Sequence, residues 1–213
     1  AGLREAGQRT GLYTSPHLVR INERIRVNGD EIGDAEFAEV FEAVQGAVEQ
    51  LLAEGAVDAH PSYFECVTAM AFEHFRRAGV ERAVVEVGLG GRLDATNVVE
   101  PEVAVITPID FDHETFLGRA AEAISAEKAG ILKPGAPAVW APQPAAAREV
   151  LETRARELGI QVVRVGEDWR AEQVGHISRG STAMRKSLQT VHRHSFLSPR
   201  FAKTLATSSF APS

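Results

Sequence analysis

The stretch Arg82-Ala-Val-Val-Glu86-Val-Gly88-Leu-Gly-Gly-Arg-Leu93-Asp94-Ala95-Thr-Asn97-Val-Val99 decides how this chain reads. Val84, Val85 and Val87 form a β-branched run of the kind that suits a strand buried on both faces of a parallel sheet. Glu86 interrupts the run, and a carboxylate buried there needs a cation or hydrogen bonds. Gly88, Gly90 and Gly91 follow; glycines let a backbone turn tightly and let a ligand approach it closely. In open α/β sheets, ligands bind outside the carboxyl ends of the strands. The stretch therefore reads as a site: a buried acid, a glycine loop, and Asp94 and Asn97 held over a sheet edge. A plainer reading, Glu86 exposed at an edge or paired with an arginine, stays open. Leu93 stands where the third glycine of G-x-G-x-x-G belongs, so the spacing disfavours a dinucleotide site.

Strands and helices alternate on either side. Upstream, residues 1–8 read as the end of a helix closed by Gly7. Thr10 to Thr14 read as a short strand that stops at Ser15-Pro16-His17. Ser15 and His17 are polar groups at a strand end, hence site candidates, although taken alone they are better explained as plain turn chemistry. Asn28-Gly29 is a turn signal. Asp34 looks like the N-cap of a long helix with an apolar stripe. Ser62 and Glu65 form a capping-box pattern at the start of a second helix, on which His74 reads as a surface residue. Downstream, residues 103–109 read as a buried strand ending in Asp110, Asp112, His113 and Glu114. Glu86 and His113 would thus lie at neighbouring strand ends, a plausible pair for a divalent metal. Residues 120–130 read as a short helix whose Lys128 shares a face with Ile124 and Ile131. Such a lysine either snorkels to solvent or, if held inward, loses basicity and becomes reactive. A strand near 136–140, a helix over 143–158 and a strand over 161–165 complete the pattern. The fold class is α/β, a mostly parallel sheet with flanking helices.

The totals set limits. A chain of 213 residues can hold one ordinary domain, and 44% hydrophobic residues is normal for a soluble globular protein. A net charge of −6 argues against general nucleic-acid binding, and the single Cys66 excludes an internal disulfide. No apolar run is long enough to span a bilayer and no signal-peptide pattern opens the chain, so a cytoplasmic location is expected. The 29 acidic residues all lie at or before Glu172, whereas basic, Ser- and Thr-rich sequence follows Gln173. Residues 1–172 are accordingly read as one domain and 173–213 as an atypical tail, disordered or derived from a shifted reading frame.

Several stretches together resemble the folylpolyglutamate synthase and dihydrofolate synthase branch of the Mur-type ligases. They are Leu12-Tyr-Thr-Ser-Pro-His-Leu18, Asn22-Glu-Arg-Ile25, Tyr63-Phe-Glu65, Val84 through Asn97, Asp112-His113 and Glu127-Lys-Ala-Gly-Ile131. The resemblance implies the Mur-ligase-type central ATP-binding domain. It also implies an ATP-dependent ligase of folate biosynthesis that adds L-glutamate to dihydropteroate or a reduced folate through an acyl phosphate. By the same resemblance, Ser15, Glu86 and His113 hold Mg²⁺, with Glu86 and His113 also counted among the catalytic residues, and Lys128 is carbamylated. Phe64, Glu65, Leu93, Asp94 and Ala95 line the pterin pocket, and Asn97 is assigned to nucleotide binding. A full-length member is expected to act as a monomer, with no nucleic-acid or membrane partner.

The sequence departs from that family in two respects. None of the four lysines follows a glycine, so the Gly-Lys-Ser/Thr phosphate loop is absent from these residues. Nothing in these residues resembles the family's C-terminal domain, which is expected to be missing as well. The chain is therefore expected to be an incomplete domain that does not catalyse alone. A cell-wall Mur ligase and a non-catalytic nucleotide- or folate-binding remnant remain as alternatives.

Overall fold

The computed structural model describes residues 1–109, 118–177 and 181–187, with side chains described for 1–109 and 121–169. The chain divides into two compact units, residues 1–89 with 94–98, and residues 90–93 with 99–213.

The first unit begins with the short helix α1 (Gly2–Glu5) and then β1 (Thr10–Tyr13). After a 3-10 turn (Ile21–Arg24) come β2 (Ile25–Val27) and β3 (Asp30–Glu31), then the helices α2 (Asp34–Ala53) and α3 (Tyr63–Arg77), and finally β4 (Arg82–Val85). The sheet order is β3-β2-β1-β4. The pairing of β1 with β4 is parallel, in the register Thr10 to Arg82 and Tyr13 to Val85, and its pairing with β2 is antiparallel. Asn28 turns the β2–β3 hairpin at φ 54°, and its Oδ1 accepts the Thr10 N–H at 2.9 Å. The turn thereby also anchors the start of β1. Tyr13, Ile25, Val40, Met70 and Phe75 form the core.

Two helix starts differ in chemistry. Gly33, not Asp34, is the N-cap of α2, and its N–H donates to Glu36 Oε2 at 3.2 Å. At α3 the predicted capping box is complete: Glu65 N–H donates to Ser62 Oγ and Ser62 N–H to Glu65 Oε2 at 2.7 Å. Those bonds to Ser62 hold the Glu65 carboxyl below its usual range.

The second unit contains β5 (Ala104–Ile106), α4 (Gly118–Ala129), β6 (Ala138–Trp140), α5 (Ala145–Leu158) and β7 (Val162–Arg164). β5, β6 and β7 form a parallel sheet in that order. Its core gathers Ile106, Leu132, Trp140 and Leu151. Gly159 closes α5 in the left-handed conformation, where a side chain would be strained. β8 (Arg170–Ile177) and β9 (Ser181–Ser187) pair antiparallel, so the expected boundary at 172/173 falls within β8. No helix among the described residues is long and apolar enough to cross a membrane.

Two expectations are corrected. The strand at Val84 is not buried on both faces: Ala83 and Val84 are exposed, as is Val105 on β5. Among the described residues each strand is the edge of its sheet, paired on one side only, so fewer side chains cover it. His74 is not a surface residue but is buried at 8% exposure. Helical spacing places it one turn after Met70, on the stripe that faces the core.

Burial pushes the His74 imidazole below its ordinary pKa, against the pull of Glu36 and with some repulsion from Arg77. The unfolded chain therefore takes up this proton first as pH falls. The stability linked to His74 is complete above about pH 6.5, the ordinary histidine value, and is lost as pH drops toward the depressed value. Denaturant unfolding between pH 8 and 5.5 should show stability falling below about pH 6.5. His74→Gln should flatten that slope, and an unchanged slope in the variant would refute the assignment.

Candidate functional site

The parallel ladder of β1 and β4 ends in a side-chain contact. Glu86 N–H donates to the Tyr13 carbonyl at 2.9 Å, one step past the last strand pair. Directly beyond, the Ser15 N–H donates to Glu86 Oε2 at 2.8 Å. Residues far apart in sequence thus meet because two strands run side by side and stop together. Glu86 is exposed, not buried, so the first expectation for this acid is corrected: its side chain reaches solvent at the edge of the sheet, as the plainer reading had it. Neither Ser15 Oγ nor Glu86 Oε1 has a protein partner among the described residues. Two hard oxygen donors at adjacent strand ends fit Mg²⁺, which accepts few protein ligands and keeps water and phosphate oxygens. Among the described residues no group of three or more His, Cys, Asp or Glu side chains converges. His113 lies outside the described residues.

The glycine loop begins against α3. A Cβ on Gly88 would lie 2.3 Å from Phe64 Cζ, so only glycine allows the Phe64 ring this close. Phe64 also packs on Tyr13, with ring centroids 6.1 Å apart. Tyr13 itself is fully buried, its hydroxyl 3.1 Å from Thr68 Oγ1, and burial raises its pKa. Asp94 braces the far side of the loop. Its Oδ2 accepts the Leu89 N–H at 2.9 Å, and its Oδ1 accepts both the Thr96 N–H and the Thr96 hydroxyl. The Asn97 N–H donates to the Asp94 carbonyl, closing the short 3-10 turn Ala95–Val98. Ser15, Phe64, Glu65, Glu86, Asp94, Ala95 and Asn97 all belong to this first unit.

Leu93 and Lys128 belong to the second unit. There the Arg92 N–H donates to the Glu127 carbonyl at 2.9 Å, and the Arg92 guanidinium meets Glu127 Oε1 at 2.8 Å. A Cβ on Gly91 would lie 2.7 Å from that same carbonyl and 3.2 Å from Lys128 Cα. The loop segment 90–93 thus lies against the last turn of α4, beside Lys128, which is half-buried. Leu93 is 79% exposed.

One residue escaped the sequence reading. Arg24 lies within a stretch quoted for the resemblance but was not singled out. It is buried, at 7% exposure; its Nε–H donates to His17 Nδ1 at 2.9 Å, and its guanidinium carbon lies 5.9 Å from the Tyr63 ring centroid. Spacing could not reveal it, because arginine on so short a segment reads as surface.

The contact between Gly88 and Phe64 has a direct consequence. Gly88→Ala should cost about 1–3 kcal/mol in urea unfolding by forcing the ring out of place. Phe64→Leu introduced into that variant should recover part of the loss. Additive losses would show that the two residues do not share this contact.

No protein-family model matches the chain. It is 41% identical over 167 residues to the dihydrofolate synthase/folylpolyglutamate synthase of Haemophilus influenzae, covering 78% of this chain and 36% of that protein. It is 38% identical over 167 residues to the folylpolyglutamate synthase of Lacticaseibacillus casei, covering 78% of this chain and 39% of that protein. Among solved structures, the Mycobacterium tuberculosis folylpolyglutamate synthase complexed with ADP and AMPPCP matches with a TM-score of 0.77 and 36% identity, over 87% of this chain and 42% of that one. An FPGS–AMPPCP–folate complex matches with a TM-score of 0.79 and 35% identity, over 88% of this chain and 45% of that one. The matched span is less than half the length of each of these relatives. Within that span, the resemblance on individual motifs becomes a resemblance of whole sequence and fold, and the chain belongs to the folylpolyglutamate synthase and dihydrofolate synthase family.

Proposed function

We propose that this chain forms part of an ATP-dependent ligase that adds L-glutamate to dihydropteroate or to reduced folates. The observation that carries the reading is the match over 88% of the chain to a relative solved with both AMPPCP and folate. In the reaction, a carboxylate oxygen of the pteroyl substrate attacks the γ-phosphorus of ATP and ADP leaves. The amine of glutamate then attacks the acyl carbon and loses a proton, phosphate departs, and the amide forms.

The residues of the first unit support distinct tasks. Ser15 and Glu86, with His113, would hold Mg²⁺. When bound, the ion offsets charge on the phosphates during transfer. Phe64 supplies an aromatic face, and Glu65, Asp94 and Ala95 complete this unit's share of a pterin pocket to which Leu93 also belongs. Asp94 does so chiefly by shaping the loop, since its carboxylate oxygens already accept three internal donors. Asn97 is assigned to the nucleotide. Lys128 is proposed to be carbamylated, which replaces a cation by an anion able to order metal-bound water. Residues 1–172 carry this chemistry and 173–213 do not. The reading is completed by a cytoplasmic setting and a monomeric full-length enzyme.

Thermal unfolding of the 213-residue chain with dihydropteroate, with Mg²⁺-ATP and with neither tests the reading. Dihydropteroate at about 100 times its Kd should stabilise the chain by about 2.7 kcal/mol. No shift with either ligand would count against it, and a shift with a UDP-linked peptide precursor instead would move it to the cell-wall ligases. In a longer protein containing this chain, Glu86→Gln keeps an acceptor for the Ser15 N–H, so stability should change by less than about 1 kcal/mol. Ligase activity should nonetheless fall at least ~100-fold, because the variant loses the anionic donor. Incubation with ¹³C-bicarbonate should give a carbamate resonance that Lys128→Arg abolishes; the same resonance in the variant would exclude Lys128.

A further inference from the structure

Two residues after Lys128 the chain carries a glycine that its backbone conformation does not call for. Gly130 has no positive φ, so a side chain there would meet no backbone strain. It would meet Arg92 instead. A Cβ at position 130 would lie 2.4 Å from Arg92 Cβ, 2.6 Å from Arg92 Cα and 2.9 Å from Arg92 Cγ. The contact is reciprocal, because a Cβ on Gly91 would press on the Glu127 carbonyl. The last carbonyls of an α-helix have no partner within the helix. At the end of α4 the Glu127 carbonyl accepts the Gly130 N–H at 3.2 Å, which tightens the final turn, and the Arg92 N–H at 2.9 Å. The loop backbone thus caps the helix, and one bare residue on each side lets it come that close.

The two partners are not equally firm. Ala129 and Leu132, which flank Gly130, are 3% and 2% exposed in the core of the second unit. Leu93, next to Arg92, is 79% exposed. An atom added at position 130 therefore displaces the loop and not the helix end that carries Lys128. We propose that Gly130 is a positioning residue for substrate binding: its bare backbone seats segment 90–93 and so sets where Leu93 meets the pterin. The assignment rests on the ligase reading, which gives Leu93 its place in the pterin pocket, and adds to it a residue that touches no substrate.

The 213-residue chain is compared with Gly130→Ala, Arg92→Gly, the two together, and Leu151→Ala, a core variant of the same unit that loses stability away from the contact. Amide hydrogen exchange at Arg92 reads the seat without any ligand. It should quicken at least about tenfold in Gly130→Ala relative to the amides of β6, and unchanged protection overturns the contact. Dihydropteroate titration reads the consequence. Gly130→Ala should weaken binding about tenfold, while Leu151→Ala stays within about threefold of the parent. Arg92→Gly removes two of the three crowding atoms, so in the double variant it should return part of the loss. Losses that simply add, or a loss in Leu151→Ala as large as in Gly130→Ala, overturn the positioning role. If Gly130→Ala alone does not fold, a double variant that folds supports the contact and one that stays unfolded overturns it. In a longer protein containing this chain, Gly130→Ala should raise KM for dihydropteroate about tenfold with kcat within about threefold, because Lys128 stays in place. A fall in kcat with KM unchanged would put the defect at the helix end and overturn the proposal. A parent chain that binds no dihydropteroate overturns the ligase reading and the pterin role with it, while the exchange result still decides the contact.

Discussion

The hydrogen bond from the Ser15 N–H to Glu86 Oε2 exists only because β1 and β4 run parallel in one register. Were the register to slip by one residue, every side chain on β4 would change face and Glu86 would turn away from the β1 loop. The core serves that register. Tyr13, the last residue of β1, is fully buried between the sheet and α3, and its ring contact with Phe64 ties the strand end to the start of that helix. Phe64 in turn fills the space left by Gly88. The candidate site is therefore an extension of the hydrophobic packing, reached by two successive contacts, Tyr13 to Phe64 and Phe64 to Gly88, from the strand end to the glycine loop.

The second unit uses a different device at its own share of the loop. There the backbone of Arg92 and the glycine at 91 lie directly on the carbonyl of Glu127, and the Arg92–Glu127 ion pair reinforces the contact. Both groups are substantially exposed, so the pair adds orientation more than stability. The close backbone approach sets the position of the segment beside Lys128.

Much of this was legible in the sequence because the signals were periodic or chemically narrow. The alternation of short β-branched runs with amphipathic helices predicts the parallel α/β class, and Ser62 with Glu65 predicts the start of α3 to the residue. What escaped was set by neighbours far along the chain. Val84 reads as interior from its own composition, yet its exposure depends on how many strands flank it. His74 looks like a polar interruption of a helix, but the stripe it continues faces the core. Arg24 is buried beneath Tyr63 and beside His17, partners that no local window brings together. Asp94 was read as a polar residue over a sheet edge, whereas its carboxylate is turned inward to organise the loop.

Glu23 holds the β1 loop by three backbone N–H groups, Leu18 foremost, and they draw its carboxyl down to about 2. Because the grip is on the main chain, it places no demand on the side chains at positions 18, 19 and 20. Leu18 and Val19 point almost wholly into solvent, at 91% and 83% exposure. The loop thus separates shape from surface. Its path is set by one glutamate, and the side chains at 18 and 19 are displayed to solvent without taking part in holding that path.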